Sequence, residues 1–329
     1  FHMRDAEEDF MQIVDQEGLP QAGGVMHCFC GNDKILQWAL QRGLFISFSG
    51  IVTFKNSHAM QQQVKEVPLD RLLIETDAPY LAPDPLRGKR CEPAMLTETA
   101  RIIASLTDLS PRDIARITRR NALRLYRIPS HEKAKIAYAI RNSLYLNITN
   151  RCSNRCVFCA RFQRRDVKGH QLILDREPGY ADVIEAINMH RLENYSEAVF
   201  CGYGEPTERM DLLLEIADYL KSQGMTVRLN TNGQGNLINQ CNIVRDLVGR
   251  VDIVSVSLIC GSSDQYQEIC RSDFGTDSWH AVVQFIQLCQ SSGIETRASI
   301  VEMPELNIQA CERLAAQLGV PLHRRKLTP

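Results

Sequence analysis

The strongest chemical signal in this 329-residue sequence is a cysteine trio, Cys152, Cys156 and Cys159, spaced C-x3-C-x2-C a few residues after a predicted strand. Three thiolates in one short loop can converge on a soft metal centre, and three ligands on a 4Fe–4S cluster leave one iron open. A fourth cysteine in the loop would favour zinc or a fully ligated cluster, and the loop has none. The alternative is three unpaired thiols packed in a core, which is uncommon at this spacing.

A second set of ligand-type side chains, His2, His27 and Asp77, lies at predicted strand ends in the first part of the chain. Imidazoles and a carboxylate at the mouth of a barrel can hold one or two divalent ions and activate a water molecule. Each residue alone is weak evidence, because a histidine at a strand end is usually only hydrogen-bonded. Cys28 and Cys30 flank His27, but strand alternation directs them away from it, and we do not expect them to bind zinc.

The elements that must position these residues are predicted by an alternation of short apolar runs with stretches of helical period. This alternation favours parallel sheets with crossover helices, in which chemistry lies at the carboxyl ends of the strands. The predicted strands are 24–29, 44–49, 71–75, 143–148, 198–201, 226–230, 252–258, 295–301 and a weaker one near 320–322. The clearest predicted helices are 35–41, 95–106, 112–126, 210–223, 279–291 and 308–318.

The composition is that of an ordinary globular protein, with 44% apolar and 23% charged residues, which excludes a wholly disordered or fibrous chain. No apolar run approaches the roughly 20 residues of a membrane span, and we expect no membrane association. The net charge of 38 − 39 = −1 gives no global basic field that would indicate nucleic acid. Twelve cysteines without a recognisable signal peptide predict a reduced, cytoplasmic protein. The start at Phe-His suggests a chain cut from something longer.

The length predicts about two domains. A proline, Pro129, ends the predicted helix 112–126, and charged residues follow it. We therefore predict a first domain over 1–129, a linker over 130–140 and a second domain over 141–329.

The second part resembles the radical S-adenosylmethionine (radical SAM) superfamily over about 143–326. The resemblance rests on motifs in the right order, each after a predicted strand. These are the cysteine trio with Phe158, the turn Gly204-Glu205-Pro206, the string Leu229-Asn230-Thr231-Asn232-Gly233, the serines of Val-Ser-Val-Ser-Leu, and Val301-Glu302-Met303-Pro304. Tyr203 departs from the usual pattern, because it stands where that turn normally begins with glycine.

This resemblance implies an α/β fold, a partial (β/α)6 TIM barrel open on one side. It implies that Cys152, Cys156 and Cys159 hold a 4Fe–4S cluster whose fourth iron binds S-adenosyl-L-methionine (SAM). Reduction by a partner such as flavodoxin or ferredoxin would cleave SAM to a 5′-deoxyadenosyl radical, which would take hydrogen from an unknown substrate. The implied contacts to SAM are Gly204 and Glu205 at its amino group, Asn230, Ser255 and Ser257 at its carboxylate and ribose, and Phe158 and Val301 at its adenine.

The first part resembles the rear half of the TatD family of metal-dependent deoxyribonucleases, which are (β/α)8 barrels of about 250 residues. The matching strings are His-x-Arg-Asp-Ala, His-Cys-Phe-x-Gly, Ser-Gly-Ile-Val-Thr-Phe-Lys and Glu-Thr-Asp-Ala-Pro-Tyr-Leu. Leu86 and Cys91 depart from the pattern, since the family usually has histidine and asparagine there.

The TatD resemblance implies that His2, His27 and Asp77 bind a divalent metal (Mg, Mn or Zn) if the site is completed. Asp77 would also be the catalytic base. The family's opening His-x-His pair and bridging glutamate lie upstream, so we expect little nuclease activity from the chain as given. DNA is a candidate partner of this part, and oligomerisation is left open.

Together the two resemblances indicate a TatD-linked radical SAM protein fused to a TatD portion. The first hypothesis is a radical enzyme with an incomplete hydrolase domain. The second is a TatD-type nuclease whose iron–sulfur domain senses iron or redox state, and the third is a cluster-bearing scaffold without activity. The Gly-Glu-Pro turn and the two serines favour the first hypothesis, because a sensor needs no cofactor pocket.

Overall fold

The computed structural model describes residues 1–129, 132–163 and 166–327, which form two compact units, Phe1–Glu132 and Lys133–Leu327. Residues 130 and 131 of the predicted linker, and 164, 165, 328 and 329 of the predicted second domain, lie outside the described residues. Within the described residues, no helix combines the length and the apolar character that a membrane crossing requires.

The first unit contains a three-stranded parallel sheet in the order β1-β2-β3. Its elements are α1 (Glu7–Glu17), β1 (Val25–Met26), α2 (Asp33–Gln41), β2 (Phe45–Phe48), α3 (His58–Glu66), β3 (Leu72–Ile74), α4 (Leu96–Thr107) and α5 (Pro111–Leu125). A capping box between Ser110 and Asp113 starts α5. From that helix the Asn121 amide donates to the carbonyl oxygens of Leu69 and Leu72 at 2.8 and 2.7 Å, which fixes β3.

The second unit contains a seven-stranded sheet in the order β12-β11-β10-β9-β8-β5-β4, with a separate β6-β7 hairpin. Its strands are β4 (Ala137–Ile140), β5 (Ser143–Leu146), β6 (Asp166–Val167), β7 (His170–Gln171), β8 (Glu197–Phe200), β9 (Thr226–Thr231), β10 (Ile253–Ser257), β11 (Glu295–Glu302) and β12 (Leu322–Lys326). Its helices are α6 (Ala160–Gln163), α7 (Tyr180–Asn188), α8 (Met210–Ser222), α9 (Gly235–Asn239), α10 (Val244–Leu247), α11 (Ser263–Cys270), α12 (Asp277–Ser291) and α13 (Ile308–Gln317).

The α/β class predicted from the sequence is confirmed. Strands β5, β8, β9, β10, β11 and β12 follow one another in chain order, each parallel to its neighbour, in a half-barrel sheet. One difference concerns the predicted linker 130–140, because β4 lies within it and pairs antiparallel with β5. Ala137 and Tyr138 are buried there. The charged residues just before this short strand conceal it in the sequence.

The two faces of the half-barrel sheet differ in character, as strand alternation requires. The outer face packs against helices through fully buried residues: Leu144, Leu146, Ala198, Phe200, Val227, Leu229, Val254, Val256, Ala298 and Ile300. The opposite face, which we call the inner face, carries Tyr145, Cys201, Arg228, Asn230, Ser255, Ser257, Arg297, Ser299 and Arg325. The inner face is therefore largely polar, as a ligand-binding surface would be.

Candidate functional site

The loop that carries the three cysteines follows β5 and is held by backbone hydrogen bonds to the end of α11. The amide of Arg155 donates to the carbonyl oxygen of Cys270 at 2.8 Å, and the amide of Asp273 donates to that of Ser153 at 2.9 Å. The Arg155 guanidinium also contacts the Asp273 carboxylate at 2.8 Å. Ser153 and Arg155, which lie between Cys152 and Cys156, are thus anchored. Their hydrogen bonds fix the backbone that carries the thiols.

A buried amide, Gln234, links the same loop to the turn after β9. Its Oε1 accepts from the hydroxyl of Ser153 at 2.8 Å, and its Nε2 donates to Asn154 Oδ1 at 2.9 Å and to the Tyr266 hydroxyl at 3.0 Å. Asn232 also donates to Ser153 Oγ, at 2.9 Å. Gln234 has no exposed surface, so the polar groups of this network satisfy one another. The network makes the cysteine loop a rigid platform.

The three thiols differ in their surroundings. Burial raises the pKa of Cys152 to about 12, and the nearby Glu205, Cys156 and Cys159 act in the same direction. A hydrogen bond from the fully buried Cys270 thiol lowers the pKa of Cys156. Cys156 is therefore the thiol most readily deprotonated for ligation.

The thiols are spaced too widely, as they stand, for all three to bind one tetrahedral ion. A tetrahedral ion with bonds of about 2.3 Å needs sulfur atoms about 3.8 Å apart. Among the described residues, the one group of three ligand atoms within 4.8 Å of one another is His27, Glu75 and Asp77, so at least one pair of the cysteine sulfurs is further apart than 4.8 Å. In a 4Fe–4S cluster each thiolate binds a different iron, which suits wider spacing.

The glycines after β8 allow that turn to press against the cysteine loop. A Cβ at Gly204 would lie 2.4 Å from the carbonyl oxygen of Thr149 and 2.5 Å from that of Arg151. A Cβ at Gly202 would lie 2.0 Å from Asn147 Oδ1. Only glycine allows such a close approach. Gly204, which the sequence analysis singled out, and Gly202 therefore allow the segments after β5 and β8 to pack together.

Glu205 is buried, with 3% of its surface exposed, and its carboxylate is held by protein donors. Its Oε1 accepts from the Thr207 amide at 3.1 Å, the Thr207 hydroxyl at 2.8 Å and the Thr231 hydroxyl at 2.7 Å. Its Oε2 accepts from the Asn232 amide at 2.6 Å. Burial raises the pKa of Glu205, and these donors oppose the rise. Glu205 thus joins the ends of β8 and β9. Its predicted contact with SAM stays a prediction.

The remaining predicted SAM contacts lie on or beside the inner face. Ser255 pairs in register with Asn230, and Ser257 follows on the same face. Asn230 also contacts the thiol of Cys201, and this hydrogen bond lowers the thiol's pKa against the larger effect of burial. Val301 is buried at the carboxyl end of β11, and Phe158 packs partly against the outer core. Their roles toward a cofactor stay predictions.

In the first unit, His27 and Asp77 are brought together by Glu75. The Glu75 Oε1 lies 2.7 Å from His27 Nδ1 and accepts from the Cys28 amide at 2.7 Å, while its Oε2 accepts from the Ser47 hydroxyl at 2.5 Å. Glu75 is therefore fully engaged and orients the imidazole, as a carboxylate does behind a metal-binding histidine. This leaves His27 Nε2 facing Asp77 Oδ1 at 3.2 Å.

The separation of these two ligand atoms suits one bound ion. For bonds of about 2.1 Å, atoms 3.2 Å apart subtend about 100° at a metal, between octahedral and tetrahedral angles. His2 pairs with His27 through a parallel backbone bridge, and their ring centroids are 5.7 Å apart. His2 is not part of the close group. A cavity of about 270 Å³, lined by His27, Glu75 and neighbouring residues, adjoins it.

Sequence reasoning missed three residues that matter here. Glu75 comes directly after β3 and two residues before Asp77, so strand alternation alone could have paired them. Cys270 and Gln234 gave no such signal, because neither has a neighbour of matching chemistry in the sequence. Only the fold brings them to the cysteine loop.

Two protein families match this chain, each over one of its two parts. The sequence profile of the family described as "Radical SAM superfamily" matches residues 146–318, more than half of the chain. The chain belongs to the radical SAM superfamily. A second profile, "TatD related DNase", matches residues 1–127. The chain therefore has a TatD DNase domain followed by a radical SAM domain. Membership implies an enzyme of that superfamily, with a 4Fe–4S cluster and SAM.

Similar proteins cover one or the other part. "Uncharacterized metal-dependent hydrolase YabD" of Bacillus subtilis is 47% identical over 127 residues, which is 39% of this chain and 50% of the relative. "Uncharacterized metal-dependent hydrolase YcfH" of Escherichia coli K12 is 44% identical over 127 residues, 39% of this chain and 48% of the relative. The chain thus spans about half the length of these curated relatives. A solved structure of Streptococcus suis SuiB bound to precursor peptide SuiA is 17% identical, covering 66% of this chain and 45% of that one, with a TM-score of 0.44.

Proposed function

We propose that this chain is a radical SAM enzyme that holds one 4Fe–4S cluster on Cys152, Cys156 and Cys159 and cleaves SAM reductively. The observation that carries the proposal is the buried network around Gln234, which holds the cysteine loop against the ends of β9 and α11. A core that merely buried three thiols would need no such polar scaffold. The polar inner face beside the loop supplies a surface for a cofactor and a substrate.

When bound, the cluster supplies one electron that breaks the carbon–sulfur bond of SAM, giving methionine and a 5′-deoxyadenosyl radical that takes a hydrogen atom from the substrate. The protein's own residues have three tasks. The cysteine thiolates hold the cluster and leave one iron open. Gly204 lets its turn pack against the backbone of the cysteine loop and so helps to position that loop. Asn230, Ser255 and Ser257 offer hydrogen bonds on the inner face. An external reductant, such as flavodoxin or ferredoxin, must supply the electron.

Iron and sulfide content test the ligand assignment. We expect about four of each per reconstituted chain, in line with a 4Fe–4S cluster. Cys156→Ala should lose the cluster, whereas Cys289→Ala should keep it, because Cys289 is buried in the core away from the loop. Equal iron loss from both variants would contradict the assignment. Adding SAM should change the electron paramagnetic resonance spectrum of the reduced cluster, and an unchanged spectrum would count against an open iron.

A second candidate function is metal-dependent hydrolysis by the TatD domain, favoured by the close group of His27, Glu75 and Asp77. His27 Nε2 and Asp77 Oδ1 lie 3.2 Å apart, so the two residues share one small site. We still propose weak nuclease activity for the 329-residue chain, because these few ligands offer hard ions such as Mg²⁺ little oxygen. Robust Mn²⁺-dependent DNA cleavage that is lost in His27→Ala would overturn this proposal.

The cellular setting and the partners are proposals as well. All twelve cysteines are free, which fits a reduced, cytoplasmic compartment. DNA is proposed as a partner of the TatD domain only, and the substrate of the radical chemistry is unknown.

A further inference from the structure

Three arginines lie on the inner face of the half-barrel sheet, and two of them are neutralised by carboxylates. Arg228 pairs with Glu197 at 2.7 Å, and Arg297 pairs with Glu295 at 2.5 Å. For Arg325, the described part of the chain offers no carboxylate oxygen within 4.0 Å. Its Nη2 donates to the hydroxyl of Ser299 at 3.2 Å. Among the described residues, Arg325 is therefore a cation without a carboxylate partner.

The side on which Arg325 lies follows from its neighbours on β12. Leu322 packs against the outer core, and Arg324 contacts Glu302 at 2.6 Å and Glu312 of the outer helix α13 at 3.2 Å. Alternation along a strand then directs Arg325 to the inner face. The adjacent arginines of β12 thus differ in their surroundings. Arg324 forms ion pairs on the outer face, whereas Arg325 has no carboxylate partner among the described residues on the inner face.

The charge of Arg325 also interacts with groups on strands far from its own. Partial desolvation of the guanidinium lowers the pKa of Arg325, and the Cys201 thiol and Tyr145 phenol act on it in the opposite direction. In a flat sheet β12 and β8 would be about 19 Å apart, since four steps of about 4.8 Å separate them. An interaction over that distance would be negligible, so the sheet curls and brings β12 toward β5 and β8. The residue as a whole is solvent-exposed, so an anion in solution can reach it.

We propose that Arg325 binds an anionic group of the substrate, a phosphate or a carboxylate, on the inner face. A guanidinium offers two parallel donors that match either anion, and its charge strengthens both hydrogen bonds. The Ser299 hydroxyl accepts from Arg325 and keeps its own proton to donate to the same anion. The inference rests on the proposed function, because it assigns the inner face to the substrate of the radical reaction.

One alternative source of the same chemistry is the methionine carboxylate of SAM. Labelling with phenylglyoxal, an arginine reagent, separates the two sources. The reconstituted full chain is labelled alone, with inorganic phosphate, with acetate or with SAM, and each arginine is followed by mass spectrometry. We expect Arg325 to react faster than Arg324, and phosphate or acetate to protect Arg325 specifically. Protection by SAM alone would show that the anion is the cofactor's, and equal, unprotected reaction of both arginines would show no site; either result overturns the proposal.

A variant pair gives a second measurement. Binding of inorganic phosphate, followed by phosphorus NMR, should weaken about 10- to 100-fold in Arg325→Met, as expected for lost charged hydrogen bonds. The matched control Arg324→Met should bind phosphate like the wild type, and an equal loss in both would contradict the assignment. The two proposals fail separately. Absence of 5′-deoxyadenosine with anion protection intact would refute the proposed function and leave only an anion site at Arg325, whereas normal 5′-deoxyadenosine without anion protection would refute the role of Arg325 alone.

Discussion

Replacing Glu205 with alanine should destabilise the radical SAM domain rather than simply weaken cofactor binding. The substitution removes the acceptor of two backbone amides, those of Thr207 and Asn232, and of two hydroxyl groups. The hydroxyls can rotate toward other acceptors, but the amides cannot. Each buried amide left without a partner costs about 1–3 kcal/mol, so the expected loss is about 2–6 kcal/mol. Glutamine keeps one oxygen and should lose about half as much.

The assay is urea unfolding of the full apo-chain, followed by hydrogen exchange of peptides that contain Thr207 or Asn232. For a urea slope of about 3 kcal/mol per molar, the alanine variant should unfold at a concentration about 1–2 M lower. The exchange of the Asn232 amide should accelerate most, because that amide loses its partner. Glu208→Ala is the matched control, since Glu208 lies in the same turn and is only half-buried. The reasoning is refuted if Glu205→Ala and Glu208→Ala unfold at the same urea concentration.

Three further predictions follow from the same geometry. Gly204→Ala should destabilise the domain by about 1–3 kcal/mol through overlap with two backbone oxygens. Thermal unfolding compares it with the control Gly179→Ala, whose added Cβ would have no neighbour closer than 3.6 Å. Equal melting temperatures of the two variants would contradict the prediction. Gln234→Leu should lower the iron content after reconstitution, because the polar groups of the cysteine loop lose their hydrogen-bond partner. A full iron complement would show that the network is dispensable. Glu75→Gln should weaken Mn²⁺ or Zn²⁺ binding about 10- to 100-fold in calorimetry, as for other residues that orient metal ligands. An unchanged affinity would show that Glu75 does not orient His27.

Much of the fold was predictable because its strands carry an apolar alternation. The predicted strands 143–148, 226–230 and 252–258 coincide closely with β5, β9 and β10. The exceptions are strands whose stability comes from pairing rather than from their own hydrophobicity. β12 consists mostly of basic residues after Leu322, and its partner β11 supplies the context. β4 is stabilised in the same way by β5.

The candidate site was predictable where its residues lie together in the sequence. The cysteine trio sits in one loop, and Asp77 sits two residues after Glu75. Contacts between distant segments gave no signal. Gln234 meets Ser153 across 81 positions, and Asn154 meets Tyr266 across 112. The motif singled out Glu205 as a site residue. It did not predict that four protein donors hold the Glu205 carboxylate, because those contacts depend on how two strand ends pack together.

The central claim is tested most directly by the fate of SAM on the reduced protein. The reconstituted wild-type chain and Cys156→Ala are incubated anaerobically with SAM and dithionite, and the products are separated by liquid chromatography with mass spectrometry. We predict that the wild type forms 5′-deoxyadenosine and methionine in equal amounts, and that Cys156→Ala forms neither above the protein-free background. Absence of 5′-deoxyadenosine from wild-type protein that carries a full 4Fe–4S cluster would contradict the account.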